Sequence, residues 1–405
     1  MLAHRPAASA AVPVRRLAIV VGCNQLISWG ISFYLPAVIA SKAAASLHAS
    51  PLAVVGGFSW ALLVAGLAMP RVGRRIDRHG GRRTLAASTI IIAVGLALLA
   101  ASSSLPFWYF AWTVLGAGMA CGLYDAAFAT VGCLLGTEAA PVITGITLLG
   151  GLASTVFWPL GAALSAIIGW RDLLLCYAVL QLGVNLPLIL LFVPTTSART
   201  PPPKLAGIAG SEPARVKSLT CLSLFFTLRW LISSAIAVYI LSLLADVGLA
   251  RGHAVLVAAL IGPGQVAGRL LDWWLAGQIG VLARARLGAI LLPLGVAVIL
   301  ICGPAAAIAF AILYGMSNGI LTINRGTLPM AIFGPAGYAT LLGWLAVPVM
   351  LAQASAPTLA APLVATMSAP SVFFLAGALG AAAGLLLLPL TVHHALPMRA
   401  NRAKG

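Results

Sequence analysis

The stretch Gly73-Arg74-Arg75-Ile76-Asp77-Arg78-His79-Gly80-Gly81-Arg82-Arg83 gathers five arginines, one aspartate and three glycines between two long apolar runs, residues 52–70 and 85–101. Charge this dense stays out of hydrocarbon, whereas each flanking run is close to the length that crosses it. The pattern is that of a short polar turn between two membrane-spanning helices. The rest of the chain agrees. Its 405 residues are 61% hydrophobic and only 8% charged, with a mean hydropathy of +1.06. Too few polar side chains remain to clothe a water-soluble globule. In lipid every backbone amide needs an internal partner, so helices or a closed barrel are the available solutions, and the runs are helical in length.

Apolar windows separated by basic or Gly/Pro-rich breaks predict twelve spans. Six lie near 17–40, 52–70, 85–101, 107–135, 140–168 and 172–193, and six near 218–244, 254–275, 287–302, 305–327, 336–367 and 371–390. The run from Leu17 to Ala40 exceeds a signal-peptide core and is taken as a retained first span. Residues 1–193 and 218–405 then form two six-helix bundles. The Pro-rich, basic segment 194–217 joins them as a linker.

Eighteen of the 24 Lys and Arg residues fall on one side of this arrangement, in groups that include Arg15 and Arg16, the arginines from Arg71 to Arg83, the linker, Arg284 and Arg286, and the C-terminus. Lys42, Arg171 and Arg251 are all that the opposite loops hold. Positive residues mark the cytoplasmic face, so both termini and the linker are expected there. A bacterial inner membrane is the expected setting. The net charge of +17 is explained by this topology and not by nucleic acid, because the basic residues are dispersed among connectors. The six cysteines lie in apolar segments without metal spacing, and no catalytic motif stands out; neither enzyme activity, nor a cofactor, nor a metal site is expected.

Two equally oriented halves suggest a parallel repeat, and Gly73-Arg74-Arg75-Ile76-Asp77 after span 2 is echoed by Gly268-Arg269-Leu270-Leu271-Asp272 at the end of span 8. The stretch from Gly73 to Arg83 resembles the signature loop between spans 2 and 3 of the major facilitator superfamily, although the basic residue usual after the second conserved glycine is displaced to Arg82 and Arg83. The resemblance implies the twelve-helix major facilitator fold. It also implies a conformational latch involving Gly73, Asp77, Arg78, Gly80, Arg82 and Arg83, with Arg269 and Asp272 as a weaker counterpart. Span 8, with Gly262-Pro263-Gly264-Gln265, and span 1, with Ser28-Trp29-Gly30, loosely resemble the monocarboxylate and oxalate/formate carriers.

A charge near mid-bilayer costs roughly 2.5–3.5 kcal/mol even on lenient scales, so it faces a cavity or a partner. Three residues lie deep: Asp125 in span 4, Arg229 in span 7 and Arg325 in span 10. In the superfamily the chain resembles, spans 1, 4, 7 and 10 line the central cavity. Arg269 is placed close enough to a helix end to snorkel. Helical spacing adds Asn318 and Thr322 beside Arg325, Ser233 beside Arg229, and Asn24 in span 1, with Tyr34 and Tyr124 as further hydroxyls. Two deep arginines against one acid leave an excess positive charge, and guanidinium offers bidentate geometry to carboxylate. The expected function is therefore secondary transport of a small organic anion through Arg229, Arg325, Asn24, Asn318, Thr322 and Ser233. Asp125, the only deep acid, is the candidate proton carrier, and an ion pair between it and one arginine is the competing use of those charges. Efflux of amphipathic drugs, or of metalloids through Cys121, is the alternative, and a non-transporting membrane sensor or scaffold the reading from another class. A monomer with the lipid bilayer, a small molecule and protons as partners completes the expectation.

Overall fold

The computed structural model describes residues 14–195 and 212–392, and all its regular elements there are helices. Nine apolar segments are long enough to cross a membrane; two of them, of 63 and 53 residues, each fold back as a pair of spans, and the shorter apolar helix Ala369–Leu385 completes twelve. The folding back occurs at Gly136 (φ 58°) and Gly303 (φ 63°). Each glycine adopts a backbone conformation that a side chain disfavours and opens a one-turn 3-10 helix, Gly136–Ala139 or Gly303–Ala306, so two spans join with almost no loop.

Numbered in chain order, the spans are Val14–Ser46, Pro51–His79, Arg82–Ala100, Leu105–Leu135, Ala140–Ile167 and Gly169–Phe192, followed by Glu212–Asp246, Arg251–Leu275, Val281–Cys302, Ala307–Phe333, Tyr338–Thr366 and Ala369–Leu385. Several expected boundaries move by five residues or more, and two of these shifts reshape a connector. The arginine-rich stretch is mostly helix, because span 2 runs on to His79 and only Gly80 and Gly81 separate it from span 3. Span 7 begins at Glu212, so the last six residues of the expected linker are helical. Residues 196–211 of that linker, with Arg199 and Lys204, lie outside the described residues, as do Arg5 and the C-terminal Arg399, Arg402 and Lys404.

Several spans are interrupted near their middles: span 1 at Ser32–Leu35, span 4 at Leu123, span 5 at Gly151–Leu152, span 8 at Leu260, and span 6 by a π turn at Gln181–Asn185. Irregular backbone inside a bilayer is tolerated where protein or a cavity, not lipid, receives its polar groups. The lipid-facing surface is apolar, with Leu52 and Ile301 more than four-fifths exposed.

Spans 2, 4 and 5 meet spans 8, 10 and 11 through the ends nearest the arginine-rich turn, here called the basic side. The opposite halves of spans 1, 5 and 8, Pro36–Ser46, Ala153–Ile167 and Arg251–Ala259, pack against neighbours from their own six spans. Spans 2 and 11 approach closely: a side-chain carbon on Gly73 would overlap the Ala339 carbonyl, and one on Gly343 would come within 2.5 Å of the Met69 carbonyl. Small residues let membrane helices come this near. Gly73→Ala is therefore expected to cost about 1–3 kcal/mol by overpacking, read as a lower melting temperature of the purified protein; an unchanged melt contradicts the contact. A second small-residue seam, which hydropathy did not single out, joins Gly264 and Gly268 of span 8 to Gly315 and Gly319 of span 10.

Candidate functional site

The extended backbone at Leu123 ends one half of span 4 and starts the helix Tyr124–Leu135, which places Asp125 in its first turn, where the helix dipole favours negative charge. Opposite it, Arg325 of span 10 donates from Nη2 to Asp125 Oδ2 at 2.7 Å, with the two side chains 11% and 6% exposed. The Arg325 guanidinium also lies 5.1 Å from the centroid of the Trp230 ring, a favourable cation–π position. Of the two deep arginines, Arg325 is thus the one that pairs with the acid.

Arg229 is buried in span 7, with 1% exposure. Its Nη2 donates to Ser317 Oγ at 2.9 Å and Asn318 Oδ1 at 3.2 Å, while Nε and Nη1 have no hydrogen-bond partner. One turn on, the Ser233 hydroxyl meets that of Tyr314 at 3.2 Å. Thr322 spends its hydroxyl on the Asn318 carbonyl of its own helix at 2.7 Å.

Arg269 departs most from its expected place. It does not snorkel: it is 4% exposed and turns towards the first six spans. Its guanidinium lies on the bare Cα of Gly151, at the break in span 5, and the Tyr124 hydroxyl stands at the neighbouring Gly150. Gln265 Oε1 receives a long bond of 3.4 Å from Nη2, and Nε and Nη1 have no partner. Nor does it pair with Asp272. That carboxylate accepts from Arg284 Nη1 at 2.5 Å and from Asn324 Nδ2 at 3.1 Å, because spans 9 and 10 flank the side of span 8 to which it points. Among the described residues the ion pairs are Arg284–Asp272 and Arg325–Asp125. Arg229 and Arg269 are buried cations without an acid.

Asn24 is engaged elsewhere. Its Nδ2 donates to Asn185 Oδ1 at 3.1 Å, and its Oδ1 accepts from Gln25 Nε2 at 2.9 Å. Asn185 Nδ2 in turn donates to Gln181 Oε1 at 2.6 Å and Ser28 Oγ at 3.1 Å. These amides tie span 1 to the π turn of span 6. Gln181 and Asn185, one helical turn apart in an apolar run, were the available signal for that network.

On the basic side, Asp77 Oδ2 accepts from the Thr340 backbone N–H at 2.7 Å and from its hydroxyl at 2.6 Å, and Oδ1 accepts from the Ala339 N–H at 3.2 Å. An acid at the end of span 2 thus caps the N-terminus of span 11, across the boundary between the two sets of six spans. Gly80 closes the end of span 2 (φ 77°), and a side chain on Gly81 would collide with Thr130. Arg78 and Arg83 are exposed, and Arg82 donates to the Leu190 carbonyl of span 6, so the arginines are not brought into the Asp77 contact.

Comparison with known proteins places this geometry in a family. The sequence model of the Major Facilitator Superfamily matches residues 17–347. No curated relative matches in sequence. Among solved structures, the human organic anion transporter MFSD10 (TETRAN) superposes with a TM-score of 0.72 at 18% identity, covering 93% of this chain and 99% of that one. The proton:xylose symporter XylE, bound to 6-bromo-6-deoxy-D-glucose, gives 0.73 at 12% identity over 95% and 97% of the two chains. FucP in its outward conformation gives 0.68 at 12% identity over 93% and 98%. At these identities the likeness is one of fold, and it agrees with the family match over most of the chain. This multi-pass membrane protein belongs to the major facilitator superfamily of transporters.

Proposed function

We propose that this transporter carries organic anions, carboxylates first among them, and that Arg229 and Arg269 supply the charge that receives them. The supporting observation is the balance of buried charge: Arg325 is neutralised by Asp125, whereas Arg229 and Arg269 have no acid and each leaves two guanidinium nitrogens unbonded. An unpaired buried cation costs several kcal/mol. It is explained if a substrate supplies the missing negative charge, and a guanidinium edge matches a carboxylate in shape as well as sign. Relatives of the same fold carry an organic anion in one case and a sugar in another, so the charges and not the fold choose the substrate. Asn318 and Ser233, beside Arg229, complete the polar lining. The pairing of Asp125 speaks against efflux of cationic amphipaths, which needs that carboxylate free.

In the same reading the structure is the outward-facing state, closed on the cytoplasmic, basic side by spans 2, 4 and 5 against 8, 10 and 11. The two six-helix bundles rock about the site, Asp77 latches this state, and protonation of Asp125 releases Arg325 and couples transport to protons. The setting is a bacterial inner membrane with both termini inside.

A ligand that binds the folded state raises its stability by RT ln(1 + [L]/Kd), about 2.7 kcal/mol at a hundredfold excess over Kd. A panel of carboxylates is expected to raise the melting temperature of the detergent-purified protein, and Arg269→Gln and Arg229→Gln each to abolish the shift. A rise produced by organic cations and not by carboxylates contradicts the proposal.

A further inference from the structure

Three helix breaks converge on Arg269. The turn at Ser32–Leu35 in span 1 carries Phe33 and Tyr34 and begins three residues after Trp29; the break at Leu123 in span 4 precedes Tyr124; and Gly150 and Gly151 stand at the break in span 5. Trp29 is the centre of the resulting cluster. Its ring centroid lies 4.6 Å from that of Phe33, 4.8 Å from Tyr124 and 6.1 Å from Tyr34. Tyr124 stacks in turn on Phe128 at 5.2 Å, with 14° between their planes.

The cluster is held in place and still open. Trp29 Nε1 donates to Gln25 Oε1 at 3.1 Å, and Gln25 is anchored on the Gly122 carbonyl at 2.7 Å, so the indole cannot swing freely. Trp29, Phe33, Tyr34 and Tyr124 each keep some exposure and are not completely closed off by the protein. Tyr124 lies beside the second set of spans, because Arg269 of span 8 rests on Gly151, next to the glycine that the Tyr124 hydroxyl approaches. The Tyr124 hydroxyl occupies the space that the missing side chain of Gly150 leaves, 2.6 Å from where its first carbon would be, and Arg269 occupies that of Gly151. One wall therefore offers flat apolar faces and phenol hydroxyls, and the other an unpaired guanidinium.

Resting on the anion reading above, we infer that the substrates are aromatic carboxylates, whose ring lies on Trp29 and Tyr124 while the carboxylate meets Arg269. A small aliphatic acid would satisfy the cation and leave the ring faces uncovered. A phenyl group buries more apolar surface than a methyl group and adds ring–ring attraction. Together these favour an aromatic acid by about tenfold or more in affinity.

The test is calorimetric titration of the full-length protein in detergent with benzoate and phenylacetate against acetate, lactate and succinate. Expected are dissociation constants for the two aromatic acids at least about tenfold below those of the aliphatic ones. Trp29→Leu should bring that ratio close to one, and Trp29→Phe, which keeps a ring at the position, should preserve most of it. Equal or tighter binding of the aliphatic acids, or a ratio that Trp29→Leu leaves unchanged, overturns the aromatic class and leaves the anion reading intact. Binding of neither class by protein that melts cooperatively overturns both.

Discussion

Asp125→Asn alone is expected to destabilise the protein by about 3–5 kcal/mol, because it leaves the Arg325 guanidinium in the interior without its acid. The pair joins span 4 to span 10 at 2.7 Å with both side chains nearly buried, so little solvent is at hand to replace the lost partner. The Trp230 ring at 5.1 Å offsets only part of the loss, on the order of 1–2 kcal/mol. Removing both charges is a different case: the Asp125→Asn, Arg325→Gln double variant should recover most of the stability, since two neutral amides can hydrogen-bond across the same gap. Thermal melts of the wild type, both single variants and the double variant give the coupling directly. Additive single effects would show that the pair is not a unit.

Asp77→Asn should shift the protein out of the state described here. The carboxylate accepts two backbone N–H groups and one hydroxyl at the start of span 11. Hydrogen bonds to a charged group are each worth about 1.5–3 kcal/mol, and the helix terminus adds up to about 2 kcal/mol. Asn keeps one acceptor but turns an NH2 group towards N–H donors. A loss of roughly 2–4 kcal/mol changes the population ratio by about thirtyfold to a thousandfold. Spin labels on the basic ends of spans 2 and 11 should then report a broad, longer distance distribution where the wild type gives a single short one. Identical distributions would mean that Asp77 does not hold the two ends together.

The twelve spans were legible because hydropathy and the distribution of arginines are one-dimensional signals, and boundaries such as 140–168 against Ala140–Ile167 agree within a residue. The helix breaks were less so. Gly150 and Gly151 stand at one of them, and Pro36, which has no N–H for the Ser32 carbonyl, accounts for the Ser32–Leu35 turn; the break at Leu123 has no such residue, and there Gln25 of span 1 takes up the Gly122 carbonyl. The deep charges of spans 4, 7 and 10 were visible as sequence, and so was an ion pair of Asp125 with one arginine; which arginine it takes was not, because Asp125 and Arg325 are 200 positions apart. Arg269 was misplaced for a specific reason. Its closeness to a helix end suggested snorkelling, with Asp272, three residues on, as its fellow in a weaker latch. Arg284 holds Asp272 instead, and Arg269 lies against Gly151 of span 5. Asn24, expected at the substrate, has its hydrogen-bond partners in span 6 and in Gln25 of its own span.

The most direct measurement is uptake of labelled carboxylates, aromatic and aliphatic, into liposomes holding the purified protein, corrected for passive entry into empty ones, beside Arg229→Gln and Arg269→Gln. Saturable, protein-dependent uptake that falls roughly ten- to a hundredfold with either substitution is the predicted result. Uptake indifferent to both substitutions, or transport of organic cations with no carboxylate flux, would contradict the assignment of the two unpaired arginines to an anion.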